Sequence, residues 1–342
     1  MPYYNKMFLL NIKQVRRIHM TMKKNNSTGF IGVITNMASF NNEVGDNAGS
    51  RRTSKGDFYA THYKMKWLIR DYFARLNGNK SVLVKSSAYK HDKTGNLAVR
   101  TLEQRIKYLF DLDDDDFKNL TSIDLLNLVL SKKDVKNFGV ALPIDKKQVK
   151  VTGVTQLSYA INNYKETEEQ IIQINGAYST KEGNLQATLG RRKFLDFANY
   201  IYNFTVQPNM LSKNVLGVEV EPYTLADYNW FKKGALRAAQ TNQSSSTGSY
   251  VGYGMFIELK ENEDLIQPNF NHYISTTKKN DVYLIDFTLL ANYLAQNEQA
   301  IHSIELYLAQ NIQLEFIGLD ALEKNGVEIK DMAEARKINI EE

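Results

Sequence analysis

Cysteine is absent from the 342-residue chain. That excludes disulfides, thiolate metal sites and cysteine nucleophiles, and it fits a reducing compartment. Histidine is scarce. His19, His62, His91, His272 and His302 are the whole set, and none pairs with another at metal-ligand spacing or sits in a nucleophile motif. No stretch approaches the ~18 apolar residues that a membrane span needs. The N-terminus, MPYYNKMFLLNIKQVRR, follows a short apolar piece with more charge and has no small-residue cleavage pattern, so no signal peptide is expected. There is no P-loop, GxSxG elbow or GxGxxG. The acidic run Asp113 to Asp116 lacks the alternating acids and central glycine of a calcium loop, and it reads as a cap on the helix that follows. The expectation is a soluble, cytoplasmic protein that needs no cofactor or metal.

What is present is ordinary for a globular chain, 43% hydrophobic and 24% charged, long enough for one large core or two modest ones. The net charge is +5 and the pI about 8.9, the right sign for a polyanion without proving one. Tyrosine is frequent, at 20 residues. A polar stacking surface would use it, and a biased genome composition gives the same count.

Residues 29–73 organise the rest. Ile31, Val33, Ile34 and Met37 suit a buried strand. A polar loop follows, with Asn41, Asn42, Gly45, Asp46, Asn47 and Gly49, then Arg51, Arg52 and Lys55. From about Tyr59 the spacing predicts a helix, with Tyr63, Trp67 and Phe73 inward and Lys64, Lys66, Arg70 and Arg75 outward. A basic loop opening onto a basic helix beside a sheet can hold a phosphate backbone.

Residues 77–133 open with a polar stretch and give two helical candidates, about Leu97–Phe110 and Phe117–Leu130. Residues 134–162 return to strand-like patterning. Residues 162–194 read as a long hairpin or arm turning at Gly176 and Gly183 and ending in Arg191, Arg192 and Lys193, or else as ordinary surface loops. FLDFANYIYNFTV (194–206) is core. A helix is expected over about Leu225–Ala239, a strand over 250–259, where Gly252 and Gly254 suggest a bulge or close backbone approach, and then a strand VYLIDF and one helix running to residue 310. The tail, ending in IEE, is read as peripheral. These pieces make an α+β sandwich of ferredoxin-like or RNA-recognition type with large insertions.

Four segments, in order, resemble the backbone subunit of type I CRISPR surveillance (Cascade) complexes, the Cas-seven family of the RAMP superfamily. They are ITNMASFNNEVGDN (34–47), THYKMKWLIRDYF (61–73), DVKNFGVAL (134–142) and GVTQLSYAIN (153–162), with TNQSSSTGS (241–249) a weaker fifth. Type I-B is the most similar subtype. The resemblance implies a palm of modified RNA-recognition fold from residues 1–76 (carrying the RNA-facing loop and basic helix), 134–162 and 196–342. It implies helical fingers over 77–133 and a thumb over 163–195. It implies a non-catalytic subunit that polymerises along a CRISPR RNA beside other Cascade subunits and presents the guide to target DNA, with no membrane partner.

Matched to the motifs, Lys66 and Arg70 would meet guide phosphates and Asn41 and Asn42 the RNA backbone. Gln156 belongs to the Gly-x-x-Gln strand, and Gln243, Ser244 and Ser245 to the polar turn. Arg51, Arg52, Lys55, Arg191, Arg192 and Lys193 are added from charge alone. The chain departs from the family in carrying Trp67 after Lys66, with Trp67 assigned to the core, and in Asp134-Val135-Lys136, where a lysine replaces an arginine fork. His62 stands where many members carry aspartate. Two rival readings stay open. One is a type III-like subunit cutting target RNA with a loop aspartate, Asp46. The other is a stand-alone RNA-binding module.

Overall fold

The computed structural model describes residues 21–45, 49–85, 89–91, 94–144, 147–175, 188–242, 248–264 and 268–341. The first strand, Ser27–Ala38, lies near the middle of a nine-stranded sheet. It pairs antiparallel on one side with the long strand Thr188–Val206 and on the other with Ser249–Leu259. Next to the latter comes Ile301–Leu308, and beyond it Val327–Asp331 in the sheet's parallel pair. The outer edge of the long strand is shared by Glu169–Asn175, Ala160–Asn162 and Thr155–Leu157, with Tyr59–Ala60 outermost. The class is therefore mixed α+β around a large, mostly antiparallel sheet.

The alternation of a strand sorts the side chains onto two faces. Ile31, Val33, Tyr200, Tyr202 and Phe204 turn to a helical layer, and Phe30, Ile34, Ile201, Tyr253 and Met255 turn to the opposite one. The helical layer holds the basic helix, His62–Asn77, packed on a second helix, Leu225–Arg237. Gly234 lets them approach, since a β-carbon there would lie 2.6 Å from Ile69 and 2.9 Å from Phe73. Phe73 stacks on Trp230 with ring centroids 4.4 Å apart. The other face carries a three-stranded sheet (Ser275–Lys279, Val282–Asp286, Leu314–Ile317) and the helix Thr288–Gln296. Gly252 is the extra residue of a bulge, because Gly32 opposes Tyr253 while Val33 opposes Val251.

Several expectations are corrected. IHSIELYL is a strand, not the end of a helix; the helix stops at Gln296, and Ile304 and Leu306 then bury on one face of the sheet. Leu97–Val99 is a strand paired with Tyr89–His91, so the helix of that region starts at Leu102, capped by Thr101. DVKNF is a short helix, Lys133–Phe138, ended by Gly139 at φ +72°. Met37 is exposed at φ +48° near the end of its strand. The tail is not peripheral. Met332 and Ala335 are buried, and the carbonyls of Ile338 and Ile340 accept from Lys233 and Lys133. Asp113 caps the helix Asp114–Asn119 in a capping box with Asp116, so that acidic run is accounted for by helix geometry.

The two motif segments of the middle region meet in one buried junction. Asp134, wholly buried, accepts from Leu83 N (2.9 Å), Val84 N (3.1 Å) and Arg70 Nε (3.1 Å). Lys136 donates to the Pro222 carbonyl and reaches Asp227 at 3.2 Å and Glu221 at 3.3 Å. The Asn137 carboxamide is saturated by Thr155, Tyr223, the Asp227 carbonyl and the Lys133 carbonyl. Gly139 and Gly153 come so close that a β-carbon on Gly153 would lie 2.3 Å from Gly139 N.

Candidate nucleic-acid interface

The loop between the first strand and the basic helix is anchored at its base. Ser39 Oγ donates to the Lys193 carbonyl (2.8 Å). Glu169, on the strand Glu169–Asn175, accepts from Ser50 N at 3.3 Å and pairs with Arg52 at 3.6 Å. Asn41 then sets the helix start, its Oδ1 accepting from Thr61 N (2.8 Å) and Thr61 Oγ1 (2.9 Å), while Thr61 caps the helix through Lys64 N. The described ends of the loop are thus built into the sheet and the helix.

The helix is turned differently from its expected orientation. Its buried stripe is Met65, Leu68, Ile69, Tyr72 and Phe73. Tyr63 and Trp67 instead face solvent, 68% and 37% exposed, so neither belongs to the core. The sequence pattern misleads because aromatic size suggests burial, whereas the i, i+3, i+4, i+7 run that fits the sheet starts at Met65. The stripe on the other side is Tyr63, Lys66, Trp67 and Arg70, aromatics and cations interleaved at helical spacing, with Arg70 largely covered. Lys66 Nζ and the Arg70 guanidinium lie 5.5 Å and 5.1 Å from the Phe138 ring.

Beside this stripe runs an open groove of about 590 Å³. Asn41, Asn42 and Arg51 line it from the loop, Lys64 and Trp67 from the helix, and Tyr59 and Tyr159 from the sheet edge. Lys64 Nζ sits 5.1 Å from the Trp67 ring. Tyr159 is 49% exposed, and His62 meets it edge-on at 5.0 Å. Arg51 Nε is buried with no hydrogen-bond partner.

The cations are under electrostatic stress. Burial, and then the neighbouring Arg70, push Lys66 down to about 8. Burial lowers Lys64 against the pull of Asp71, and burial and then Lys66 lower His62. Desolvated cations beside one another favour an incoming anion, which restores the charged form. Among the described residues no group of three or more His, Asp or Glu could hold a metal ion, and no helix is long and apolar enough to cross a membrane.

The structure gathers Asn41, Asn42 and Arg51 at this groove, with Lys66 and Arg70 on the adjoining stripe. Arg70 is only partly outward; its side chain is 12% exposed and committed to Asp134 through Nε. Arg52 stacks on Phe58 at 3.7 Å, donates to the Gly56 carbonyl and faces Glu169. Lys55 is exposed in the same loop. Gln156 is exposed on its strand and donates to the Gly153 carbonyl at 2.6 Å. Arg191 is exposed and Arg192 half-buried on the arm; the Lys193 side chain runs beside Gly49 and Glu169. Glu169–Asn175 pairs with Thr188–Leu195, so the base of this segment is a hairpin. Residues 176–187, with the turns expected at Gly176 and Gly183, and Asp46, Gln243, Ser244 and Ser245 lie outside the described residues. Sequence reasoning missed Tyr59, Tyr63, Lys64, Trp67 and Tyr159 as groove residues. The i, i+4 pair Tyr63 and Trp67 interleaved with Lys64 and Lys66 was the available signal.

A sequence profile for the CRISPR-associated protein Cas7 family matches residues 26–285. The chain belongs to that family. A solved chain described as "CRISPR RNA-guided surveillance complex, pre-nicking" is 12% identical at a TM-score of 0.47, covering 92% of this chain and 98% of that one. Another, "CRISPR RNA-guided surveillance complex", is 12% identical at 0.49, covering 91% and 97%. No curated protein matches the chain in sequence. The family match takes in the loop, the basic helix, the motif junction and the hairpin base of this Cas7 protein.

Proposed function

We propose that this Cas7 protein is a non-catalytic CRISPR RNA-binding backbone subunit of a type I, Cascade-like surveillance complex, with I-B the most similar subtype. In this reading several copies line the spacer of one guide and present it for base pairing with target DNA. The large sheet serves as a palm, residues 77–133 as fingers and residues 163–195 as a thumb. The carrying observation is the interleaved stripe Tyr63, Lys66, Trp67 and Arg70 beside an anchored polar loop in a member of the Cas7 family. The protein neutralises phosphates and leaves sequence recognition to the guide.

The test is assembly of the purified full chain on single-stranded RNAs of increasing length. Binding is expected to weaken steeply with salt, and the number of bound copies to grow with RNA length. A chain that stays monomeric on every length contradicts the proposal. The same titration has a pH arm. Lys66 is mostly charged below about 8 and loses its proton above it, so RNA affinity should fall between pH 7 and pH 9. Lys66→Arg should flatten that fall, because arginine keeps its charge. Lys66→Ala should reduce the logarithmic salt slope by about 0.7, one phosphate on a single strand. An unchanged slope and pH profile would remove Lys66 from the interface.

A further inference from the structure

We propose that the groove beside the basic helix holds an unpaired nucleobase, stacked on Trp67 and Tyr159, with its flanking phosphate taken by Lys64 and Arg51. This rests on the RNA-binding reading and goes beyond it, since phosphate contacts alone do not need an aromatic surface. Isolated exposed aromatics are ordinary. Here Tyr63, Trp67 and Tyr159 are all more than a third exposed and gather at one groove mouth. Tyr63 and Trp67 stay exposed although the same helix packs Met65, Ile69 and Phe73 with no exposure at all.

Two further observations point to a ligand. Arg51 lines the groove and its Nε is buried without a hydrogen-bond acceptor, a cost that a phosphate oxygen would remove once the guanidinium turns towards it. Lys64 Nζ lies over the Trp67 ring at 5.1 Å, so a base stacking there would displace it towards the flanking phosphate. A base offers a π-face to the aromatics and a phosphate to the cations, the pairing by which single-stranded RNA is held. A proline-rich peptide would satisfy the rings and leave Lys64 and Arg51 unanswered.

The chain has its own reporter. It contains two tryptophans, and Trp230 is 3% exposed and stacked on Phe73, so ligand-sensitive emission should come from Trp67. The full chain, stripped of nucleic acid at high salt, is titrated with a six-nucleotide RNA and with an abasic ribose-phosphate strand of the same length. The RNA should quench Trp67 saturably; the abasic strand should bind about tenfold more weakly, with no quenching. Trp67→Leu should weaken RNA binding by about tenfold with an unchanged salt slope, Tyr159→Ala likewise, and Trp67→Phe should recover most of the loss.

Salt-dependent RNA binding without quenching, unaffected by Trp67→Leu, would overturn the stacking site and leave the RNA-binding reading standing. Failure of both strands to bind would overturn both. Quenching by a proline-rich peptide and not by RNA would reassign the groove to a peptide.

Discussion

Asp134→Ala is expected to destabilise the chain by about 3–5 kcal/mol, the cost of breaking a buried ion pair by removing one partner. The carboxylate is wholly buried and answers three donors, the amides of Leu83 and Val84 and the Nε of Arg70. Alanine leaves two backbone N–H groups and a guanidinium without an acceptor, and the guanidinium already has its charge opposed by burial. Arg70→Met should cost less, because Asp134 keeps its two amide donors. Asp134→Asn should fall between them, since its NH₂ must face a donor. Urea unfolding of the three variants checks the order. An Asp134→Ala variant within about 1 kcal/mol of the parent would mean that the junction does not depend on the carboxylate.

Gly153→Ala should be as damaging for a different reason. An alanine β-carbon would lie 2.3 Å from the Asn137 carbonyl oxygen, 2.3 Å from Gly139 N and 2.5 Å from Phe138 C. All three are backbone atoms, so no side chain can swing away, and the two motif segments must part. The loss is expected at about 3 kcal/mol or more, the upper range of overpacking. Gly56→Ala is the control. Its φ of +91° strains an alanine, yet nothing lies within 4 Å of the new carbon, and a cost of only about 1–2 kcal/mol is expected. Equal losses for the two variants would show that steric contact at Gly153 is relieved without cost.

These two residues show what the sequence makes visible. The segments DVKNFGVAL and GVTQLSYAIN are recognisable as family signatures, and the structure spends their most distinctive residues on a buried junction: Asp134 on Arg70, Lys136 on Asp227, Asn137 on Thr155, Gly139 on Gly153. Such residues are legible because few side chains can replace them. The first strand and FLDFANYIYNFTV were readable as core for a different reason, their runs of apolar and aromatic residues.

The groove was harder to read, because it is assembled from a loop, a helix face and a sheet edge far apart in sequence. Asn41 was expected at the RNA and is found with its carboxamide oxygen committed to Thr61. Trp67 was expected in the core and stands at the groove mouth, because the rotation of a helix is set by what it packs on. The strand Ile301–Leu308 was hidden by an apolar run short enough to suit a buried helix as well. Arg52 and Lys193 could not be separated from exposed cations such as Lys55 and Arg191, since their shared neighbour, Glu169, belongs to another strand.

Whether this Cas7 protein binds guide RNA is decided by one purification. The full chain is expressed with its neighbouring genes and a CRISPR array, isolated, and the RNA that travels with it is sequenced. RNAs of uniform length, each one spacer with repeat flanks, are expected in company with several copies of the chain. Heterogeneous cellular RNA, or none, would contradict guide-RNA binding.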